Sequence, residues 1–176
     1  MEARSIYRQV LGDQFPTLDA AVQQFHDCRG QHIFVGFCAI TPASHWLARG
    51  ICCLLRLPRY ATHAPFEFVL QADSRREIWL RKFPGISMRS TLRSDRQRLI
   101  EQLGMVRFTF DLASQQGSLT MQLQSVSLLG VPIPRWAHPQ IHAVEHGVGD
   151  RFYFDVKARW GWLGLISSYN GWLLVS

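Results

Sequence analysis

The chain has 176 residues, of which 47% are apolar and 18% charged, and its formal net charge is +6. So low a charged share excludes a disordered chain, and the length fits one domain over residues 1–176 whose core needs neither disulfide nor metal. The excess charge falls between Arg75 and Arg107, where nine basic residues stand against three acidic ones, while the rest of the chain has ten of each.

Residues 2–11 place Ile6, Val10 and Leu11 on one helical side, and Gly12 ends that segment. Leu18, Ala21, Val22 and Phe25 repeat at helical spacing, which predicts a helix over 17–27 with Thr17 as its N-cap. Residues 32–40 are short, apolar and rich in β-formers, and are predicted to be a strand. Thr41-Pro42 has the form of a cap followed by proline, and opens a third predicted helix that continues over 44–57 until Pro58 closes it. Its apolar side is drawn through Trp46, Leu47, Gly50, Ile51, Leu54 and Leu55, with Arg49 and Arg56 on one polar edge.

Beyond Pro65 the period changes to two. Phe66, Phe68 and Leu70 alternate with Glu67, Val69 and Gln71, and Trp79 and Phe83 alternate with Leu80 and Lys82. Met88, Ser90 and Leu92 share one face, with Arg89, Thr91 and Arg93 on the other. The same alternation runs through 106–112, 119–124 and 152–159. It marks sheets with one wet and one buried face. Short polar turns between the strands make antiparallel pairing of neighbours the simplest topology. The expected fold is α+β and β-rich: a curved antiparallel meander, half-barrel or barrel, covered by two or three N-terminal helices and interrupted by the proline-rich loop 130–139.

Candidate chemistry is sparse. Cys28, Cys38, Cys52 and Cys53 form no CxxC pair and are expected to be free thiols in a reducing compartment. The N-terminus lacks the apolar core of a signal peptide and no run of about 20 apolar residues occurs, so a cytoplasmic location is expected, with the periphery of the inner membrane as a further site. No metal is expected: on a strand His142 and His146 lie about 13 Å apart, and HAVEH is not HExxH. There is no GxGxxG, so no dinucleotide binds in the Rossmann manner, and no cofactor is expected. Nucleic acid is set aside, because the arginines are not interleaved with several exposed aromatics. Glu145, in an apolar segment, shares a strand face with Ile141 and Ala143. It can point inward and pair with an arginine such as Arg81; Glu101 is the second carboxylate of this kind.

An ordered series of short motifs adds a family. Tyr7-x-x-Val10-Leu11-Gly12, Phe25-His26, Leu55-Arg56-Leu57-Pro58 and Trp79-Leu80-Arg81-Lys82-Phe83 are followed by Glu101-x-x-Gly104 and Leu129-Gly130-Val131-Pro132-Ile133-Pro134. Glu145, Phe152-x-Phe154-Asp155-Val156 and Tyr169-Asn170-Gly171-Trp172-Leu173 complete the series. Over nearly its whole length the chain resembles the bacterial domain-of-unknown-function family numbered 4166. The resemblance implies a domain that accompanies saccharopine-dehydrogenase-like or short-chain-reductase-like domains, and hence a reductase-type protein partner.

Three functions stay open at this level. The first is a binding or accessory module for a small apolar or amphipathic ligand, with Trp79, Arg81, Glu101, Glu145, Tyr169 and His26 as ligand-binding residues. The second is an enzyme using Glu145, Glu101 or His26 as acid–base groups with Arg81. The third is an interaction domain, structural or at an anionic membrane surface, contacted by Arg49, Arg56, Arg89 and Arg93.

Overall fold

The structure, a computed structural model, describes residues 5–54, 57 and 60–175. Helix α1 (Ile6–Leu11) leads through a 3-10 turn (Gly12–Thr17) into α2 (Ala20–His26), then strand β1 (Gly30–Thr41) and helix α3 (Trp46–Leu54). The meander follows: β2 (Ala61–Ala72), β3 (Glu77–Phe83), β4 (Ile86–Asp95), β5 (Arg98–Leu103), β6 (Val106–Gln115) and β7 (Ser118–Leu128). After the short β8 (Val131–Pro132) and a 3-10 turn (Arg135–Ala137) come β9 (Gln140–Val148), β10 (Arg151–Trp160) and β11 (Gly164–Leu174).

The sheet closes. Ten strands run β1 to β7, then β9, β10 and β11, and β11 pairs back with β1; β8 is a tag on β7. Every pair is antiparallel. Residues 66–112 are consecutive antiparallel strands, with Met88, Ser90 and Leu92 buried and Arg89 and Arg93 exposed. Of half-barrel and barrel, the chain adopts the barrel, which leaves no long unpaired edge.

The seam between β1 and β11 joins the two ends of the meander, and it is built on two glycines. A Cβ built on Gly36 would collide with the carbonyl oxygen of Trp172, and one on Gly171 with that of Phe37. Only a residue without a side chain allows the two backbones this approach.

The N-terminal helices plug one end of the ring. Ser5 Oγ caps α1 by accepting from Arg8 N at 3.2 Å. Ile6, Tyr7, Val10 and Leu11 of α1, Phe15 of the turn, and Val22, Phe25 and His26 of α2 are all buried. Hydrogen bonds tie the plug to the turns at that end: Gln9 Nε2 to Ser74 O (2.8 Å), Ser114 N to Gln14 Oε1 (3.0 Å), Asp19 N to Gly117 O (2.8 Å) and Gly147 N to Asp19 Oδ2 (2.8 Å).

Several boundaries differ from the sequence expectation. Helix α2 begins at Ala20, and Thr17 is not its cap: the Thr17 hydroxyl donates to Gln14 O and also hydrogen-bonds the Ser114 hydroxyl, while the Asp19 carboxylate serves Gly147. Thr41 belongs to β1, which pairs it with Ser168, so Thr41-Pro42 is not the cap of α3. The buried contacts of α3 run through Ala48, with Ile51 and Cys52 packed beside Ile166, whereas Trp46 and Leu47 face outward. The expected apolar side was turned because only this edge of α3 reaches β11. Leu55, Arg56 and Pro58 lie outside the described residues. The four cysteines are free, and no described helix is long and apolar enough to cross a membrane.

The seam makes a checkable demand. Gly36→Ala should lower unfolding stability in urea by about 2 kcal/mol or more, the usual scale for forcing atoms into packed space. Gly50→Ala, inside α3 with nothing within 4 Å of the new Cβ, should raise it by about 0.5–1 kcal/mol. An unchanged urea midpoint for Gly36→Ala would contradict the seam.

Candidate functional site

The bore of the barrel holds a cavity of about 370 Å³. Alternation sets its walls, because every second residue of each strand points inward. On β3 the inward set is Glu77, Trp79, Arg81 and Phe83, each buried. Opposite Trp79 on β4 stands Ser90, opposite Glu77 stands Leu92, and Leu92 pairs with Glu101 of β5. Glu145 of β9 is flanked across its neighbours by Leu119 and Phe154. Most of the lining is apolar; the charged groups on it are Arg81, Glu101 and Glu145.

These groups form a polar floor above the helical plug. Arg81 Nη2 donates to Glu101 Oε1 at 3.1 Å and Arg81 Nη1 to Ser90 Oγ at 3.1 Å. The guanidinium lies over the Trp79 ring, 4.7 Å from its centroid, a cation–π contact that counts for more out of water. Trp79 Nε1 in turn donates to Glu77 Oε2 at 2.9 Å. Burial works against the Arg81 charge, but its bond to the Glu101 carboxylate favours it, and its pKa is raised. Burial also raises Tyr7 and Tyr169, so both phenols stay protonated and can donate.

Behind the floor, His26 Nε2 and Glu145 Oε2 share a hydrogen bond of 2.6 Å, with both side chains buried. The imidazole stacks on Tyr7, with 3.6 Å between ring centroids. Among the described residues the Tyr7 hydroxyl, the Ser167 hydroxyl and His26 Nδ1 are buried without a hydrogen-bond partner. Tyr7 and Ser167 line the cavity; His26 does not.

The structure thus brings Trp79, Arg81, Glu101, Glu145 and Tyr169 into the lining of one cavity and sets His26 behind Glu145. It does not bring the four proposed surface arginines together. Arg89 and Arg93 lie on the outer face of β4, whereas Arg49 is on α3, which packs against β11, four places further round the ring. Arg56 is outside the described residues. Glu77, Ser90 and Tyr7 belong to the floor and were not singled out from sequence; Ser167 lines the cavity nearer its mouth, where it pairs with Ala158. The signal for Glu77 was present, since it precedes Trp79 by two and shares its strand face. His142 and His146 both face outward on β9, and no group of three metal-binding side chains occurs among the described residues.

Fold and site define a closed ten-stranded antiparallel barrel, plugged at one end, with an apolar interior resting on a buried polar floor. The chain belongs to the family Domain of unknown function (DUF4166), whose profile matches residues 18–173. No curated protein and no solved structure matches it.

The floor makes stability depend on pH through Glu77. Burial pushes its carboxyl from 4.5 up to about 7, against the lowering effects of His26 and the Trp79 hydrogen bond. Between those values the unfolded chain ionises Glu77 while the folded chain keeps it protonated. Its contribution is therefore intact below pH 4.5 and is lost as pH rises towards 7, by about 3 kcal/mol in total. Glu77→Gln keeps an acceptor for Trp79 and cannot ionise. Urea unfolding at pH 4.5 and pH 7 should show wild type losing about 3 kcal/mol more than the variant over this interval; equal losses would contradict the assignment.

Proposed function

We propose that the barrel is a binding module for one small amphipathic molecule, whose apolar body fills the bore and whose uncharged polar end meets Arg81 and Tyr7. The observation that carries this reading is the cavity, about 370 Å³ with almost wholly apolar walls and polar groups gathered at its floor. Small-molecule sites commonly occupy ~300–1,000 Å³ and use a few placed polar groups in an apolar lining. Each methylene transferred from water to such a lining contributes about 0.8 kcal/mol.

The charges of the floor select the polar end. Arg81 and Glu101 cancel. His26 and Glu145 are joined to each other, so that pair offers no free cation. Glu77 adds a further negative charge when ionised. Each cation of the floor already has a carboxylate partner, so a ligand carboxylate placed here would be buried without a counter-charge of its own, which costs several kcal/mol. A hydroxyl or carbonyl faces no such penalty. It can accept from Tyr7, whose hydroxyl has no other described partner.

Binding is favoured over acid–base catalysis because both cavity-facing carboxylates are already engaged, Glu101 by Arg81 and Glu145 by His26. A reductase-type partner, implied by the family resemblance, suits a module that holds such a molecule and presents it.

Calorimetric titration with decanol, decanoate and decylamine tests the reading. Decanol should bind one per barrel, with decanoate weaker by about tenfold or more, a difference of about 1.4 kcal/mol. Glu101→Gln leaves Arg81 uncompensated and should shift preference towards decanoate by about tenfold. Binding of none of the three would overturn the binding reading. Tightest wild-type binding by decanoate would overturn only the uncharged end.

A further inference from the structure

The two ends of the barrel differ in charge. At the plugged end, the described stretches 5–30, 72–77, 94–98, 114–118 and 148–151 carry seven acidic and seven basic residues. Two of these pairs are in contact, Arg8 with Asp27 and Arg76 with Asp73. At the opposite end, the connections over 42–60, 84–86, 103–107, 128–140 and 158–165 carry no Asp or Glu among their described residues. They carry Arg49, Arg107, Arg135 and Arg159, all exposed. None of these four takes part in an ion pair among the described residues.

The same end is apolar. Trp136 is 89% exposed, Trp162 78% and Trp46 71%, and Leu129 and Val131 stand out beside them. Each comes from a different connection or a different part of one: α3, the β7–β9 loop and the β10–β11 turn. They surround the mouth of the cavity, whose lining reaches Leu128, Ile133 and Pro139 on this side. Isolated exposed apolar residues need no explanation, but several large ones collected on one rim mark an interaction surface.

We infer that this rim docks onto an anionic membrane surface, with Trp46, Trp136 and Trp162 entering the headgroup layer and Arg49, Arg107, Arg135 and Arg159 meeting anionic lipid. Tryptophan is suited to that layer because it has an apolar body and one polar N–H. Each arginine near such a surface contributes about 1 kcal/mol. A second copy of the chain is a poorer occupant, since a twofold contact would set like-charged rims against each other. Docked in this way, the mouth opens towards the bilayer, and an apolar molecule passes between lipid and cavity without crossing water. The inference does not depend on which molecule the cavity holds. It also differs from a surface made with Arg89 and Arg93, which sit on the wall.

Co-sedimentation with vesicles is the test, using phosphatidylcholine alone and phosphatidylcholine mixed with phosphatidylglycerol, at low and at physiological salt. The protein should bind the mixed vesicles in a salt-sensitive way. Arg135→Glu with Arg159→Glu should weaken binding by about tenfold or more, and Trp136→Ala with Trp162→Ala should also weaken it; Arg89→Glu with Arg93→Glu should stay within about twofold. No binding to mixed vesicles at low salt would overturn the inference, as would equal losses from the wall pair and the rim pair. Concentration-dependent dimerisation abolished by Trp136→Ala, without vesicle binding, would assign the rim to a second copy instead.

Discussion

A ring of ten strands is wider than its own side chains can fill. Closure at about eight strands leaves a bore that inward side chains just occupy; here the ring has two more, and a cavity of about 370 Å³ remains although the walls are rich in Phe and Trp. The rest of the structure answers that constraint. One end is stopped by α1 and α2, which bury Tyr7, Phe25 and His26 against the bore. The other end is crossed only by connections and by α3, and it provides the mouth.

The polar floor follows from the plug. Glu77, Arg81, Glu101, Glu145 and His26 would be costly in an apolar core if left unpaired. Each has a partner: Arg81 bonds Glu101 and Ser90, His26 bonds Glu145, and Glu77 accepts from Trp79. The network fixes the Arg81 guanidinium over Trp79 and leaves the Tyr7 hydroxyl uncommitted beside it. Position and charge are thus set by the fold before any ligand arrives, which is the arrangement expected of a preorganised site.

Much of this was legible in the sequence because strand alternation is a local property. The faces of β3 and β4 could be written down residue by residue, and Arg81 necessarily joins Trp79 and Phe83 on one of them. Closure was not legible, since the pairing of β1 with β11 links residues far apart in the chain and depends on the close approach of Gly36 and Gly171, which no periodicity reveals. Strand β11 itself was hidden. Residues Ile166 to Tyr169 are buried in succession, with Ile166 packed against α3, and a strand buried on both faces loses its period. The site residues were named from carboxylates in apolar surroundings and from family motifs. The contribution of Tyr7 required knowing that the first helix enters the barrel. The charge excess was placed between Arg75 and Arg107 along the chain. In space several of those charges pair, Lys82 with Glu67 and Arg98 with Asp111, and the uncompensated ones at the mouth come from four separate segments.

The central claim is that a small amphipathic molecule enters the bore, and methionine methyl resonances report on it most directly. Met88 and Met121 line the cavity, while Met105 is exposed on the β5–β6 turn. With methyl-labelled methionine, titration with decanol should shift the Met88 and Met121 signals in parallel and saturate at one molecule per barrel, leaving Met105 nearly unmoved. Shifts confined to Met105, or none at all, would mean that the molecule stays on the surface and would contradict the account.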